Sequence, residues 1–68
     1  MPFYQCSGTQ IYVNIDLVKI FHIEKSMDGK HFSVYADLLG EDGFYSLETF
    51  DNLEEAEKCI KYILDDKE

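Results

Sequence analysis

Residues 21–38, FHIEKSMDGKHFSVYADL, contain the most regular pattern in the chain. Apolar and polar side chains alternate on both sides of Asp28-Gly29, a dipeptide typical of the two central positions of a type I′ hairpin turn. A turn centred there pairs Ile23 with Val34 and Phe21 with Ala36. This alternation of period two predicts an antiparallel pair of strands with one buried face and one solvated face.

The predicted register sorts the side chains into two faces. The apolar face holds Phe21, Ile23, Phe32, Val34, Ala36 and Leu38. The polar face holds His22, Glu24, His31, Ser33, Tyr35 and Asp37, with Val18 and Ile20 at its far end. Because Val18 and Ile20 are apolar, we expect them to be covered by an N-terminal hairpin that curls the strands into a small barrel, or by a second chain.

A third strand is predicted after the hairpin. A turn centred on residues 41–42 pairs Ala36 with Leu47 on the apolar face. The same turn pairs Tyr35 with Glu48 on the polar face.

A further hairpin and a bend are predicted at the N-terminal end. A turn at Gly8-Thr9 sets Tyr4 against Val13, and the segment 14–16 is typical of a bend. With the strands on either side, the sequence predicts four or five short strands within residues 3–50, arranged as an antiparallel meander.

The helix is predicted over about residues 52–64. Asn52, or Asp51, is a suitable N-cap, and Glu55 completes a capping-box pattern with Asn52. An apolar stripe follows, made of Leu53, Ala56, Ile60, Ile63 and Leu64. We expect Ile60 to be fully buried at mid-stripe and residues 65–68 to form a frayed acidic tail. The predicted fold is therefore a single α+β domain with this helix packed on one face of the sheet.

Composition limits the functions that are open to the chain. Its 68 residues carry 6 basic and 14 acidic side chains, a net charge of −8, and all the basic residues are lysines. An acidic domain without arginine repels polyanions, which argues against direct binding to nucleic acid or to an anionic membrane. We see no signal-peptide pattern and no membrane-spanning run, so we expect a cytoplasmic protein.

The two cysteines allow two interpretations. Cys6 and Cys59 lie outside any metal-binding or redox spacing. A disulfide between them would help so small a domain, whereas a cytoplasmic setting favours two reduced thiols that pack as small apolar side chains. The sequence favours the second interpretation.

A family resemblance covers most of the chain. The segments VNIDLVKI (13–20), LETF (47–50) and EEA (54–56) resemble short uncharacterised bacterial and phage proteins, in which a small sheet precedes one C-terminal helix. The resemblance implies the fold and a phage or mobile-element origin, but no activity.

No pattern indicates catalysis, a cofactor or a metal site. In the predicted register His22 and His31 are about 13 Å apart along the strands, too far to share a metal ion. In the predicted register Asp37 and Glu48 are neighbours on the polar face, and with nothing to bury them we expect solvated carboxylates and not a proton-sharing catalytic pair. We therefore expect a protein that is not an enzyme.

The remaining hypotheses concern binding. We expect a protein-interaction or regulatory module that forms a homodimer and binds an unidentified protein partner. The alternative is an acidic mimic of nucleic acid, whose carboxylates stand in for phosphates and inhibit a DNA- or RNA-binding protein. The candidate interaction residues for the two hypotheses are Val18, Ile20, His22, Tyr35, Phe44, Glu41, Asp42, Glu54 and Glu55.

Overall fold

The computed structural model describes residues 3–66 and confirms an α+β fold with one C-terminal helix. The strands are β1 (Phe3–Gln5), β2 (Tyr12–Asn14), β3 (Val18–Lys25), β4 (Phe32–Leu38) and β5 (Phe44–Phe50), and the helix α1 is Leu53–Asp66. The strands form two sheets, β1-β2 and β3-β4-β5, in which all neighbours are antiparallel. The prediction of one continuous meander is therefore wrong.

A short 3₁₀ turn separates the two sheets. It spans Ile15–Leu17, and the Asn14 side chain accepts a hydrogen bond of 3.0 Å from the Asp16 N–H at its start. The predicted bend is confirmed at this point. Because the turn redirects the chain after β2, β3 pairs with β4 and does not continue the first ladder.

The central hairpin has the predicted register but a different turn. Ile23 lies opposite Val34 and Phe21 opposite Ala36. Gly29 has a φ of +74°, whereas Asp28 does not have positive φ, so the turn is not type I′. The Gly29 N–H donates to Ser26 O at 2.9 Å, and the Ser26 N–H donates to His31 O at 2.8 Å. The loop therefore has four residues, a length commonly built around a type I turn.

The predicted register of the third strand is wrong for two reasons. The β4-β5 turn is centred one residue earlier than predicted, which shifts the pairs next to it by two residues, and a β-bulge in β5 changes the pairing again beyond Tyr35. Ala36 lies opposite Tyr45, and after an irregularity Val34 lies opposite Glu48. The pairs predicted for Ala36 with Leu47 and for Tyr35 with Glu48 are both wrong. A bulge places two residues opposite one, so Leu47 and Glu48 both lie on the side of Val34. Leu47 is fully buried there.

A second bulge, in β3, changes the position of Val18. Val18 lies opposite Leu38, whereas Ile20 lies opposite Asp37. Leu38 belongs to the hydrophobic core, and Val18 packs against that core. The prediction that Val18 shares the polar face with Ile20 is therefore wrong, because one extra residue between them changes the side on which Val18 lies.

The helix and the N-terminal hairpin lie on the same side of the three-stranded sheet. The buried core contains Cys6, Val13, Ile15, Val34, Ala36, Leu38, Leu47, Ala56 and Ile63. The predicted pair of Tyr4 with Val13 is confirmed. Since Val13 and Ile15 share a core with Ala36 and Ala56, the hairpin does not curl over the opposite sheet face.

The start of the helix is as predicted, but its buried stripe is narrower. Asn52 Oδ1 accepts the Glu55 N–H at 2.9 Å, which confirms the N-cap. The helix continues to Asp66, two residues beyond the predicted end at residue 64, and residues 67–68 of the predicted acidic tail lie outside the described part. Ala56 and Ile63 are buried, whereas Ile60 is only half-buried. The prediction for Ile60 fails because α1 packs mainly over β4 and β5, and less over β3.

Candidate interaction surface on the outer sheet face

The outer face, defined as the side of β3-β4-β5 opposite α1, carries three cross-strand rows. They are Ile20–Asp37–Phe44, His22–Tyr35–Ser46 and Glu24–Ser33–Thr49, each read from β3 to β5. The third row is polar, and Ser33 Oγ and Thr49 Oγ1 lie 3.2 Å apart in it. The first two rows contain the apolar and aromatic side chains of this face.

Three rings form a compact cluster on the outer face. His22 stacks on Tyr35 with ring centroids 5.2 Å apart. Phe44 packs edge-on against both rings, at 5.4 Å from His22 and 4.9 Å from Tyr35. These separations are typical of favourable aromatic pairs. We call these three residues, with Ile20, the aromatic patch.

The aromatic patch is exposed although its members contact one another. Phe44 and Ile20 retain 53% and 51% of their accessible surface. Asp37 lies between them in the first row, and Glu24 Oε2 lies 3.1 Å from His22 Nε2 at the border of the third row. The ionisable side chains of the three rows, other than His22, are the carboxylates of Asp37 and Glu24. The patch is thus an apolar surface in an acidic surrounding.

The structure brings together some of the predicted interaction residues and separates others. Ile20, His22, Tyr35 and Phe44 form the aromatic patch, whereas Val18 faces the core side. Sequence reasoning placed Ile20 and His22 correctly because the register of the central hairpin is correct.

The acidic candidates lie in two separate places. Glu41 and Asp42 precede β5, and the Glu41 carboxylate accepts a hydrogen bond from Tyr45 Oη at 2.8 Å. This contact raises the pKa of Tyr45 above its ordinary value. Glu54 and Glu55 follow β5, in the first turn of α1. Seven residues of strand separate the two groups, about 24 Å at 3.4 Å per residue, so they do not form a single row.

A second cluster joins the N-terminal hairpin to the helix and was missed by sequence reasoning. Tyr4 Oη donates to Glu48 Oε2 at 3.0 Å and lies 3.8 Å from Cys59 Sγ. Partial burial is the largest cause that raises the pKa of Tyr4, and the contacts with Cys59 and Glu48 raise it further. No sequence signal indicated this cluster, because it depends on the bulge that turns Glu48 to the core side.

The cysteines are reduced, and burial disfavours their ionisation. Cys6 and Cys59 are both free, as the sequence favoured. Burial raises the pKa of each thiol, and at Cys59 this outweighs the opposing effect of the Tyr4 hydrogen bond. At neutral pH both groups are therefore protonated thiols, which are poor nucleophiles and poor metal ligands.

The histidines are in different environments. His22 belongs to the aromatic patch, whereas His31 Nε2 lies 3.8 Å from Asp51 Oδ1 near the start of the helix. Within residues 3–66, no group of three or more histidine, cysteine or acidic side chains has the geometry of a metal site.

Comparison with known proteins gave no match to a family model, a curated protein or a solved structure. Among the described residues, the helix is too short and too polar to cross a membrane.

Proposed function

We propose that this chain is a non-catalytic protein-interaction module that binds its partner through the aromatic patch on the outer face. The observation that carries the proposal is the cluster of His22, Tyr35 and the exposed Phe44 on the outer face of β3-β4-β5, which neither α1 nor the β1-β2 hairpin covers. A contiguous apolar surface of this kind is typical of interaction sites.

The packing of the patch supports binding in a preformed conformation. His22 and Tyr35 are half-buried and stack on each other, so their side chains lose less conformational freedom when a partner binds. Aromatic residues with few rotatable bonds are common among the side chains that contribute most to protein–protein affinity. Phe44 and Ile20 add exposed apolar area on either side of Asp37.

Charge defines the chemistry of the proposed partner. Asp37 lies within the patch, Glu24 lies at its border, and the chain has a net charge of −8. A partner that presents an apolar side chain flanked by Lys or Arg would fill the patch and neutralise these carboxylates. The rings of Tyr35 and Phe44 also offer faces for a cation.

The test compares two variants that each remove one exposed aromatic ring. Phe44→Ser removes a member of the patch, and Tyr62→Ser removes a ring on α1 that is 67% exposed. Proteins captured from lysate by the wild-type chain are identified, and the affinity of each purified candidate is measured by calorimetry. We expect Phe44→Ser to weaken binding of the true partner at least tenfold and Tyr62→Ser to leave it unchanged.

Two further measurements make the test decisive. Asp37→Asn should weaken the same complex and reduce its sensitivity to salt, because it removes a carboxylate that contacts a cationic partner. Thermal melting shows that each variant is folded. Equal affinity of Phe44→Ser and wild type for every captured partner would refute the proposal.

A further inference from the structure

The β3 strand is an open edge of the sheet. It has eight residues and pairs with β4 alone among the described strands. The opposite edge, at β5, is partly occupied, because the Ser7 N–H donates to Leu47 O at 2.9 Å. A long edge strand with unpaired backbone groups is a template for pairing with another strand.

The backbone groups that face outward from β3 follow from the hairpin. Ser26 and His31 form a hydrogen-bonded pair, through Ser26 N–H and His31 O. Hydrogen-bonded and non-hydrogen-bonded pairs alternate along an antiparallel ladder. The N–H and C=O groups of Phe21, Ile23 and Lys25 therefore point away from β4, towards the open edge.

A groove runs beside this edge on the core side of the sheet. It has a volume of about 490 Å³ and is lined by Ile23, Glu54, Glu57, Lys58, Ile60 and Lys61. Ile23 and Ile60 are half-buried apolar side chains at its base. The groove exists because α1 lies over β4 and β5, which leaves the core side of β3 partly uncovered.

The charged residues along the groove can pair with the same residues of a second copy that runs in the opposite direction. Glu54 and Glu57 precede Lys58 and Lys61 on the helix. If a second helix runs antiparallel, Glu54 is matched with Lys61 of the second copy, and Glu57 with its Lys58. The same pairs then recur on the other side of the two-fold axis, as an isologous interface requires.

We propose that the β3 edge and this groove are the interface of a symmetric homodimer, in which a second copy of the chain pairs antiparallel to β3. The two-fold axis passes through Ile23, so that each Ile23 faces its symmetry mate. His22 then lies opposite Glu24 of the second copy on the outer face. Phe21 lies opposite its Lys25 on the core side.

This register pairs the outward-pointing backbone groups of the two copies and avoids like charges directly opposite each other. It places the outward-pointing groups of Phe21, Ile23 and Lys25 opposite their counterparts in the second copy. A shift of two residues, with His22 facing its own mate, would set Lys19 opposite Lys25 of the second copy, and like charges directly opposite each other destabilise a sheet. The axis at Ile23 avoids that contact.

The dimer goes beyond the proposed function, because its interface is the β3 edge and the groove on the core side of the sheet. It joins the two three-stranded sheets into one sheet of six strands. Ile20 and His22 of the aromatic patch lie on the paired strand β3, whereas Tyr35 and Phe44 lie on β4 and β5, away from the two-fold axis. The two sites can therefore be tested independently through Phe44.

The test is a charge exchange measured by sedimentation at several protein concentrations. The wild type should reach twice the monomer mass of 7.9 kDa. Two double variants should each be monomeric, namely Glu54→Lys/Glu57→Lys and Lys58→Glu/Lys61→Glu. In each of them all four charged residues along the groove have the same sign of charge. An equimolar mixture of the two variants should restore a 1:1 dimer, which shows that neither variant is merely misfolded.

Control variants separate this interface from the alternatives. Ile23→Pro removes an outward-pointing N–H, which an edge strand tolerates within its own sheet, and it should abolish the dimer. Phe44→Ser should leave the dimer intact, since Phe44 lies on β5, at the opposite edge of the sheet from the interface. A monomeric wild type at the highest concentration, a mixture that stays monomeric, or a dimer lost in Phe44→Ser would each overturn the proposal.

Discussion

Replacing Tyr4 by Phe removes one hydroxyl group from the junction between the N-terminal hairpin and the rest of the fold. That hydroxyl donates to Glu48 Oε2 at 3.0 Å and lies beside Cys59 Sγ. The ring of Phe fills the same volume, so the substitution leaves the packing of β1 against the core unchanged. Its effect on the free energy of unfolding therefore reports on the hydrogen bond to Glu48.

The expected magnitude follows from the charge and the burial of the pair. A hydrogen bond to a charged group contributes about 1.5–3 kcal/mol when it is well shielded from water. Tyr4 and Glu48 are half-buried, so we expect a loss near the lower end, about 1–2 kcal/mol. In a domain of this size that loss lowers the melting temperature by about 5–15 °C.

The assay is chemical and thermal unfolding of the wild type, Tyr4→Phe and the control Tyr12→Phe. Tyr12 lies on the neighbouring strand β2 and is 61% exposed, so its hydroxyl should contribute less than about 0.5 kcal/mol. Glu48→Gln tests the acceptor, and the double variant Tyr4→Phe/Glu48→Gln measures the coupling between the two groups.

The pH dependence supplies an independent check. In the folded chain the pKa of Tyr4 is raised, whereas an unfolded tyrosine ionises near its ordinary value of about 10. The stability that Tyr4 contributes is therefore fully present below about pH 10 and is lost as the pH rises towards the folded pKa. The difference between wild type and Tyr4→Phe should shrink above about pH 10. Tyr45 titrates in both proteins, so its contribution cancels.

Equal denaturant midpoints for Tyr4→Phe and Tyr12→Phe would refute a stabilising hydrogen bond between Tyr4 and Glu48. A loss without coupling to Glu48→Gln would instead assign the effect to Cys59.

Three further predictions concern the core and the hairpin loop. Leu47→Ala should lower the free energy of unfolding by about 2–5 kcal/mol because Leu47 is fully buried. Ile60→Ala should lower it by about half as much under conditions where the chain is monomeric, because Ile60 is half-buried. The denaturant midpoints of the two variants decide the order. Gly29→Val should destabilise the hairpin by about 1–3 kcal/mol, since Gly29 has a φ of +74° that valine strongly disfavours, and an unchanged melting temperature would contradict the loop geometry. Asp28 accepts hydrogen bonds from Ser26 Oγ and from the Lys30 N–H, and the first of these is the main cause that lowers its pKa. Its contribution to stability is therefore present above about pH 4 and is lost as the pH falls through the lowered folded value, so the advantage of wild type over Asp28→Ala should vanish in acid titrations followed by melting.

The sequence by itself determined the elements whose signals are local. Alternation around the Asp28-Gly29 turn predicts the β3-β4 register, and this register places Ile20, His22 and Tyr35 correctly on the outer face. The Asn52 cap likewise predicts the start of α1. These patterns depend on residues that are close together in the chain, and they can be recognised from the period with which side chains alternate along it.

Tertiary structure decided the two β-bulges and everything that depends on them. One extra residue in a strand changes the side on which its neighbours lie, and no residue type in β5 or β3 marks that position. The bulges turn Glu48 and Val18 to the core side, where Glu48 meets Tyr4 and Val18 meets the core.

The sequence also did not predict the position of the helix across the sheet. The apolar stripe shows which side of α1 faces inward, but not over which strands it lies. The β1-β2 hairpin occupies the same side of the sheet as α1, and α1 lies over β4 and β5. Ile60 and Ile23 are therefore left beside an open edge, because the burial of a side chain depends on the layer that covers it and not on its own periodicity.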